Sequence, residues 1–296
     1  MKTLRIAALL VSVLMLEGCY YFQAARGQMD LLRRRQPIDE LIADNSIPQE
    51  LRERLVLVND ARQFAVDELN LPDNDSYRSY ADLERDFVVW NVVAAPEFSL
   101  EPKQWCYPVA GCVAYRGYFA EEAARKLASK LESQGFDVMV GGVPAYSTLR
   151  RFADPVLNTM MRWSDDDLVA TLFHELAHQV VYVKDDSQFN ESFATTVAQT
   201  GLERWREHRG EDGLPENWQE RRRVSAELVT LAISTREKLE TLYDSGMDES
   251  MMRERKHAIL QELADDAQAV ADRKNAAANP FAGGVNIARL ALRGVD

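Results

Sequence analysis

The chain has 296 residues, of which 46% are hydrophobic and 28% are charged, and its formal net charge is −12. This composition is typical of a folded globular protein and argues against intrinsic disorder. The acidic charge argues against nucleic acid as a partner, because binding to phosphates requires clustered lysine and arginine.

The N-terminal segment has the features of a bacterial export signal. A basic start precedes an apolar run from Ile6 to Leu16, which is too short to span a membrane, so we expect residues 1–18 to be removed as a signal peptide. The ending LEGC at 16–19 resembles a lipobox, which implies that Cys19 is acylated and anchors the chain in a lipid bilayer. Because no aspartate follows Cys19, the resemblance favours the outer membrane, facing the periplasm. The alternative is an ordinary secretory signal with a chance cysteine.

The first half of the mature chain mixes predicted helices and strands. Residues 26–69 predict helices with charged faces, and LPDNDS at 71–76 predicts a break. A further helix over 120–135 is expected to stop at Gly135. Strands rich in β-branched and aromatic residues are predicted at 86–96, 112–119 and 136–148.

Two cysteines flank a short turn-forming segment. Cys106 and Cys112 stand six residues apart around Pro108 and Gly111, which favour a tight turn. In the oxidising compartment that an export signal implies, we expect this pair to form a disulfide. The alternative is a pair of buried free thiols.

The second half of the chain predicts helices. Ser164, with Asp167 three residues later, forms a capping box ahead of an apolar run. Helices are predicted at 165–183, 189–206, 216–244 and 248–274. The predicted class is therefore α+β, with a small β-sheet in the first half and a helix-dominated second half. We expect residues 19–296 to form one domain.

The sequence FHELAH at 173–178 places two histidines four residues apart on a predicted helix. Positions i and i+4 share one helix face, so His174 and His178 can direct ring nitrogens at one zinc ion. Glu175 lies about 100° around the helix from His174, where it can act as a general base rather than a ligand. This is the H-E-x-x-H arrangement of metalloproteases. The alternative is an ordinary amphipathic helix that contains histidines.

A catalytic zinc site usually takes a third protein ligand. Glu191 follows His178 by thirteen residues, and the midpoint of this interval lies in the polar turn KDDSQ. In an antiparallel hairpin each residue would lie roughly 9 Å from the turn, so Glu191 would come level with His178. Asp185 and Asp186 would lie at the turn itself, and His208 would lie about 26 Å beyond Glu191 along a continuous helix. We therefore expect one zinc per chain on His174, His178 and Glu191.

HELAH followed by NESFA at 190–194 resembles the gluzincins, the metallopeptidases related to thermolysin and the zinc aminopeptidases. Three longer stretches, WCYPVAGCVAYRGYF, GVPAYSTLRRFADPVLNTM and HELAHQVVYVKDDSQFNESFAT, are similar to a bacterial family of predicted aminopeptidases, many of them lipoproteins. The resemblance implies a gluzincin-like metallopeptidase core, zinc on His174, His178 and Glu191, Glu175 as the base, and a peptide substrate in the bacterial envelope.

A donor for the developing oxyanion completes such a mechanism. Tyr146 is our candidate, with a packed edge aromatic as the alternative, whereas we expect Tyr182 to be structural. Two other functions stay open: an envelope endopeptidase or oligopeptidase, and a non-catalytic outer-membrane assembly or scaffold lipoprotein that retains the zinc site. The glutamate of the motif favours an enzyme, because a structural zinc site has no use for Glu175.

Overall fold

The computed structural model describes residues 20–107, 111–145, 148, 152–183, 186–273 and 290. Cys19 and Tyr146, both predicted site residues, lie outside the described residues.

The described part of the first half alternates helices with short strands. Its elements are helix α1 (20–33), strand β1 (Arg35–Pro37), α2 (Ile38–Ala43), α3 (Gln49–Asp67), β2 (Ser79–Ala81), β3 (Val89–Pro96), β4 (Trp105–Tyr107), β5 (Gly111–Val113), β6 (Arg116–Tyr118), α4 (Glu121–Glu132) and β7 (Phe136–Val143). The second half holds β8 (Val156–Leu157) and the helices α5 (Asp165–Ala177), α6 (Ser187–His208), α7 (Glu216–Tyr243) and α8 (Glu249–Arg273). The predicted α+β class is confirmed.

The strands form small sheets. Strand β1 pairs antiparallel with β2, and β2 pairs parallel with β8. A second sheet has the order β6-β3-β7. Strands β4 and β5 form an antiparallel pair in which Cys106 and Cys112 stand opposite each other, and the two cysteines are joined by a disulfide.

Several predicted boundaries were wrong. The helices predicted over 26–69 begin at residue 20 and are interrupted by strand β1, and the strand predicted at 86–96 begins at Val89. The strand predicted at 112–119 is split, because β5 pairs with β4 whereas β6 pairs with β3 in another sheet. The strand predicted at 136–148 ends at Val143, directly before Pro144, which has no N–H to donate to a neighbouring strand. The helix predicted at 165–183 ends at Ala177, where the backbone N–H groups of Gln179 and Val180 turn back to Leu176 and Ala177.

The chain divides into two compact units. The first comprises Met1–Trp90, Gly117–Glu121 and Gly142–Tyr182, and the second comprises Asn91–Arg116, Glu122–Gly141 and Val183–Asp296. That residues 19–296 act as one domain stays a prediction. Of the helices in the described residues, none is both long and apolar enough to cross a lipid bilayer.

The first unit has a core in which α3 packs against α5. Phe64 of α3 and Phe173 of α5 place their rings 6.1 Å apart. Arg62, on the same helix as Phe64, is buried, and its guanidinium donates to the carbonyl oxygens of Pro72, Asn74 and Ser76. Burial lowers the pKa of Arg62. These bonds fasten the 72–76 loop to α3.

The second unit has a core built mainly by α7 and α8. Its buried apolar side chains include Leu228, Leu239, Leu260, Leu263 and Val270. A buried lysine, Lys256 of α8, donates to the Asp137 carboxylate at 2.6 Å and to the Glu97 carbonyl oxygen at 2.8 Å. Because Asp137 lies in β7 and Glu97 follows β3, this lysine joins α8 to the strands of its unit. A buried charge of this kind is tolerated because it is paired.

Candidate metal centre

Helix α5 carries His174, and His178 is its C-terminal cap residue. The start of the helix is fixed by the predicted N-terminal cap. The Ser164 hydroxyl accepts from the Asp167 backbone N–H at 3.2 Å and donates to the Asp167 carboxylate at 2.7 Å, so Ser164 is confirmed as the N-cap of α5. Three aspartates occupy the first turn, where they stabilise the positive end of the helix dipole. The apolar face of α5 is buried through Leu168, Leu172, Phe173 and Leu176.

The C-terminal end of α5 is held by Gln179, which the sequence analysis did not single out. The Gln179 side chain is buried, accepts from the Asn74 amide at 2.7 Å and donates to the Ser76 hydroxyl at 3.4 Å. Asn74 and Ser76 belong to the loop that Arg62 fastens to α3. The residue next to His178 is therefore fixed through side chains more than 100 positions away in the sequence.

The two histidines point their ring nitrogens at each other. The Nε2 atoms of His174 and His178 are 3.1 Å apart, and the rings stand nearly perpendicular, with an interplanar angle of 88°. Two nitrogen ligands, each 2.0–2.1 Å from a tetrahedral zinc ion, would be about 3.3 Å apart. The observed separation therefore fits two ligands of one ion. His178 is buried and His174 is half-buried.

Glu191 lies at the start of α6, and two side chains organise that start. The Asp186 carboxylate accepts from the Phe189 backbone N–H at 3.0 Å and so caps the helix. The Asn190 carboxamide accepts from the Val183 N–H at 2.8 Å and donates to the Val183 carbonyl oxygen at 2.7 Å. Asn190 is only 2% exposed, so this two-point contact is shielded from water. We call it the Val183–Asn190 clasp.

The roles of Asp186 and Asn190 were not predicted from the sequence. An aspartate three residues before a helical N–H is a recognisable cap, so the signal for Asp186 was present. Nothing in the sequence indicated that Asn190 would bond to the Val183 backbone, because such a contact depends on the path of the intervening turn.

The structure brings the three predicted ligands together. One ligand atom from each of His174, His178 and Glu191 lies within 4.8 Å of the other two. Two neutral imidazoles and a carboxylate are a donor set that suits zinc, and Glu191 is exposed, so the group faces solvent. Among the described residues, no other group of three histidine, cysteine or acidic side chains is gathered in this way.

A comparison with models of protein families identifies the family of the chain. A model described as "Putative aminopeptidase" matches residues 19–294. The chain belongs to this aminopeptidase family. No curated protein and no solved structure matches the chain. The resemblance found in the sequence is thus confirmed at the level of the family.

The other residues that the sequence analysis singled out in this family member are not all part of the gathered group. Glu175 is half-buried on α5, directly after His174. Tyr182 lies beyond the end of α5 and is exposed, so it does not continue the helical series of His174 and His178. Val180 and Phe189 are also exposed apolar side chains near the α5–α6 turn. Tyr146 is outside the described residues, and its role stays a prediction.

Proposed function

We propose that this member of the aminopeptidase family is a zinc-dependent aminopeptidase of the bacterial envelope. The observation that carries the proposal is the convergence of His174, His178 and Glu191. Family membership supports a peptidase, and the donor set supports zinc as the metal. Cys19 would be the acylated N-terminus, holding the enzyme in the outer membrane on its periplasmic side.

Each side chain has a separate part in peptide hydrolysis. His174, His178 and Glu191 would hold the ion, which when bound supplies a Lewis acid that polarises the scissile carbonyl and lowers the pKa of a water molecule. Glu175 accepts the proton of the attacking water and later passes it to the leaving amine. Tyr146 would donate a hydrogen bond to the developing oxyanion.

The test separates metal binding from proton transfer. Glu175→Gln keeps the size of the side chain and removes its basicity, so we expect full zinc content and a loss of peptide hydrolysis of about a hundredfold or more. Glu191→Ala removes a ligand, so we expect weaker zinc binding and loss of hydrolysis together. Glu207, an exposed glutamate further along α6, provides the matched controls Glu207→Gln and Glu207→Ala, which should change neither property.

The measurements are elemental analysis, zinc titration, and cleavage of matched peptides with free and blocked N-termini. Cleavage of the free peptide alone supports an aminopeptidase. Equal cleavage of both peptides would instead indicate an endopeptidase or oligopeptidase. If the wild-type chain binds zinc and cleaves neither peptide, the scaffold function is the better account. A Glu175→Gln variant with full activity would refute the role of Glu175.

The anchor is tested separately by mass spectrometry of the N-terminal peptide from bacterial membranes. We expect an acylated Cys19 at the N-terminus. An unmodified N-terminus elsewhere in the chain would refute the anchor and leave the peptidase proposal standing.

A further inference from the structure

Helix α1 is the first described element after Cys19, and its inner side is fixed to the body of its unit. A Cβ atom at Gly27 would overlap the Phe119 ring, so only glycine permits so close an approach. The Gln23 side chain accepts from the Phe119 N–H at 3.3 Å and donates to the Gly117 carbonyl oxygen at 3.4 Å. Leu31 is buried at the far end of the helix. These contacts decide which side of α1 faces outward.

The outward side of α1 is apolar at its centre, which is unusual for an exposed helix face. Successive residues are about 100° apart around a helix, so four outer residues fall side by side in one stripe. We call these residues the α1 stripe: Tyr21, Ala25, Met29 and Phe22. Phe22 is 69% exposed, Met29 is 48% exposed, and Tyr21 is exposed as well.

Charged residues border the α1 stripe on one side. Arg33 and Arg26 come next around the helix, and both are exposed. Asp30 follows them, and its carboxylate is 3.3 Å from the Arg34 guanidinium. An apolar stripe with aromatic residues and an arginine border is the pattern of a helix that lies in a membrane interface.

We propose that the α1 stripe lies on the membrane leaflet that holds the lipid of Cys19. This inference rests on the proposed acylation of Cys19. Phe22 is three residues after Cys19, so even a fully extended chain keeps it within about 11 Å of the anchor. The helix itself is about 21 Å long, and it would lie in the plane of the headgroups with Arg26 and Arg33 against anionic lipid. The enzyme would then be held in one orientation at the membrane rather than on a loose tether.

The cysteines of the chain allow a direct test. Cys106 and Cys112 form the disulfide, so of the three cysteines only Cys19 remains for coupling to a thiol reagent. The chain from Cys19 onward, which contains every described residue, can be coupled through Cys19 to vesicles of phosphatidylethanolamine and phosphatidylglycerol that carry a maleimide lipid. Hydroxyl-radical oxidation followed by mass spectrometry then reports the exposure of each side chain. The reference is the same chain with Cys19 capped, in buffer without vesicles.

Met29 and Met251 form a matched pair of reporters, since they are 48% and 54% exposed and lie on different helices. We expect coupling to lower the oxidation of Met29 and Phe22 about fivefold and to leave Met251 unchanged, because immersed side chains lose contact with water. Phe22→Glu should restore the oxidation of Met29, since it places a charge in the centre of the stripe. Ile233→Glu, at an exposed apolar position on α7, should leave Met29 protected.

Equal oxidation of Met29 on vesicles and in buffer would overturn the proposal. Protection of Met29 that rises with protein concentration in the absence of vesicles would overturn it too, because it would assign the stripe to a second copy of the chain. Chemical coupling does not depend on acylation in the cell or on peptide hydrolysis. The proposed acylation of Cys19 or the proposed peptidase activity can therefore be refuted without refuting the membrane contact of the α1 stripe, and the reverse also holds.

Discussion

Asn190→Ala tests whether the Val183–Asn190 clasp positions the glutamate ligand. The substitution removes two hydrogen bonds to the Val183 backbone, of 2.8 and 2.7 Å, at a side chain that is 2% exposed. A typical intramolecular hydrogen bond contributes about 1 kcal/mol net, so the two together contribute about 2 kcal/mol. Glu191 is the next residue, so movement of Asn190 changes the direction in which Glu191 faces.

The expected effect is a weaker affinity for zinc. In the variant, metal binding must itself order the turn that the clasp no longer holds. If this ordering costs the full free energy of about 2 kcal/mol, the dissociation constant for zinc rises about thirtyfold. A competition titration against a chromogenic chelator measures this change directly. Gln188→Ala is the matched control, because Gln188 is exposed and lies two residues earlier on the same helix.

Two results would refute this reasoning. One is a zinc affinity for Asn190→Ala that equals that of Gln188→Ala. The other is a weakened affinity accompanied by lost helix content in circular dichroism, which would show that Asn190 acts on folding of α6 rather than on the position of Glu191. A weakened affinity with unchanged helix content supports a positioning role.

Two further predictions concern stability. Ser164→Ala should lower the free energy of unfolding by about 1 kcal/mol in denaturant titration, because it removes the cap of α5. An unchanged free energy of unfolding would mean that the acidic first turn stabilises the start of the helix without the cap. The hydrogen bond from Arg253 lowers the pKa of Glu97 below its ordinary value of 4.5. This pairing stabilises the folded chain above that value and is lost as the pH falls through the lower folded-state pKa. The melting-temperature difference between wild type and Glu97→Gln should therefore close in acid, and a difference that is constant with pH would contradict the prediction.

Features that depend on neighbouring residues could be predicted from the sequence. The Ser164 cap is a contact across three residues, and it begins α5 where expected. Gly135 ends the α4 segment with a positive φ of 85°, a conformation in which glycine has no Cβ to strain. In both cases the determining atoms lie within one helical turn, so the local sequence contains the necessary information.

Features that depend on distant residues could not be predicted in the same way. Helix α5 was expected to continue to residue 183, and it ends at Ala177. Gln179 instead bonds to Asn74 and Ser76, which are more than 100 residues away in sequence. Val180 and Val181 are β-branched and have a lower helix propensity than unbranched apolar residues, so the local sequence does not favour continuing the helix past Ala177.

The early end of α5 bears on how Glu191 came to be predicted near the two histidines from partly wrong boundaries. That prediction relied on two helices that run up to a tight turn, so that equal distances from the turn would bring His178 and Glu191 level. In the structure His178 is the C-terminal cap residue of α5, and Glu191 lies near the beginning of α6. Both predicted ligands are thus close to the ends of their helices. The Val183–Asn190 clasp fixes the backbone on the N-terminal side of Glu191, so we predict that the zinc affinity of the proposed site depends on this clasp as well as on the ligand side chains.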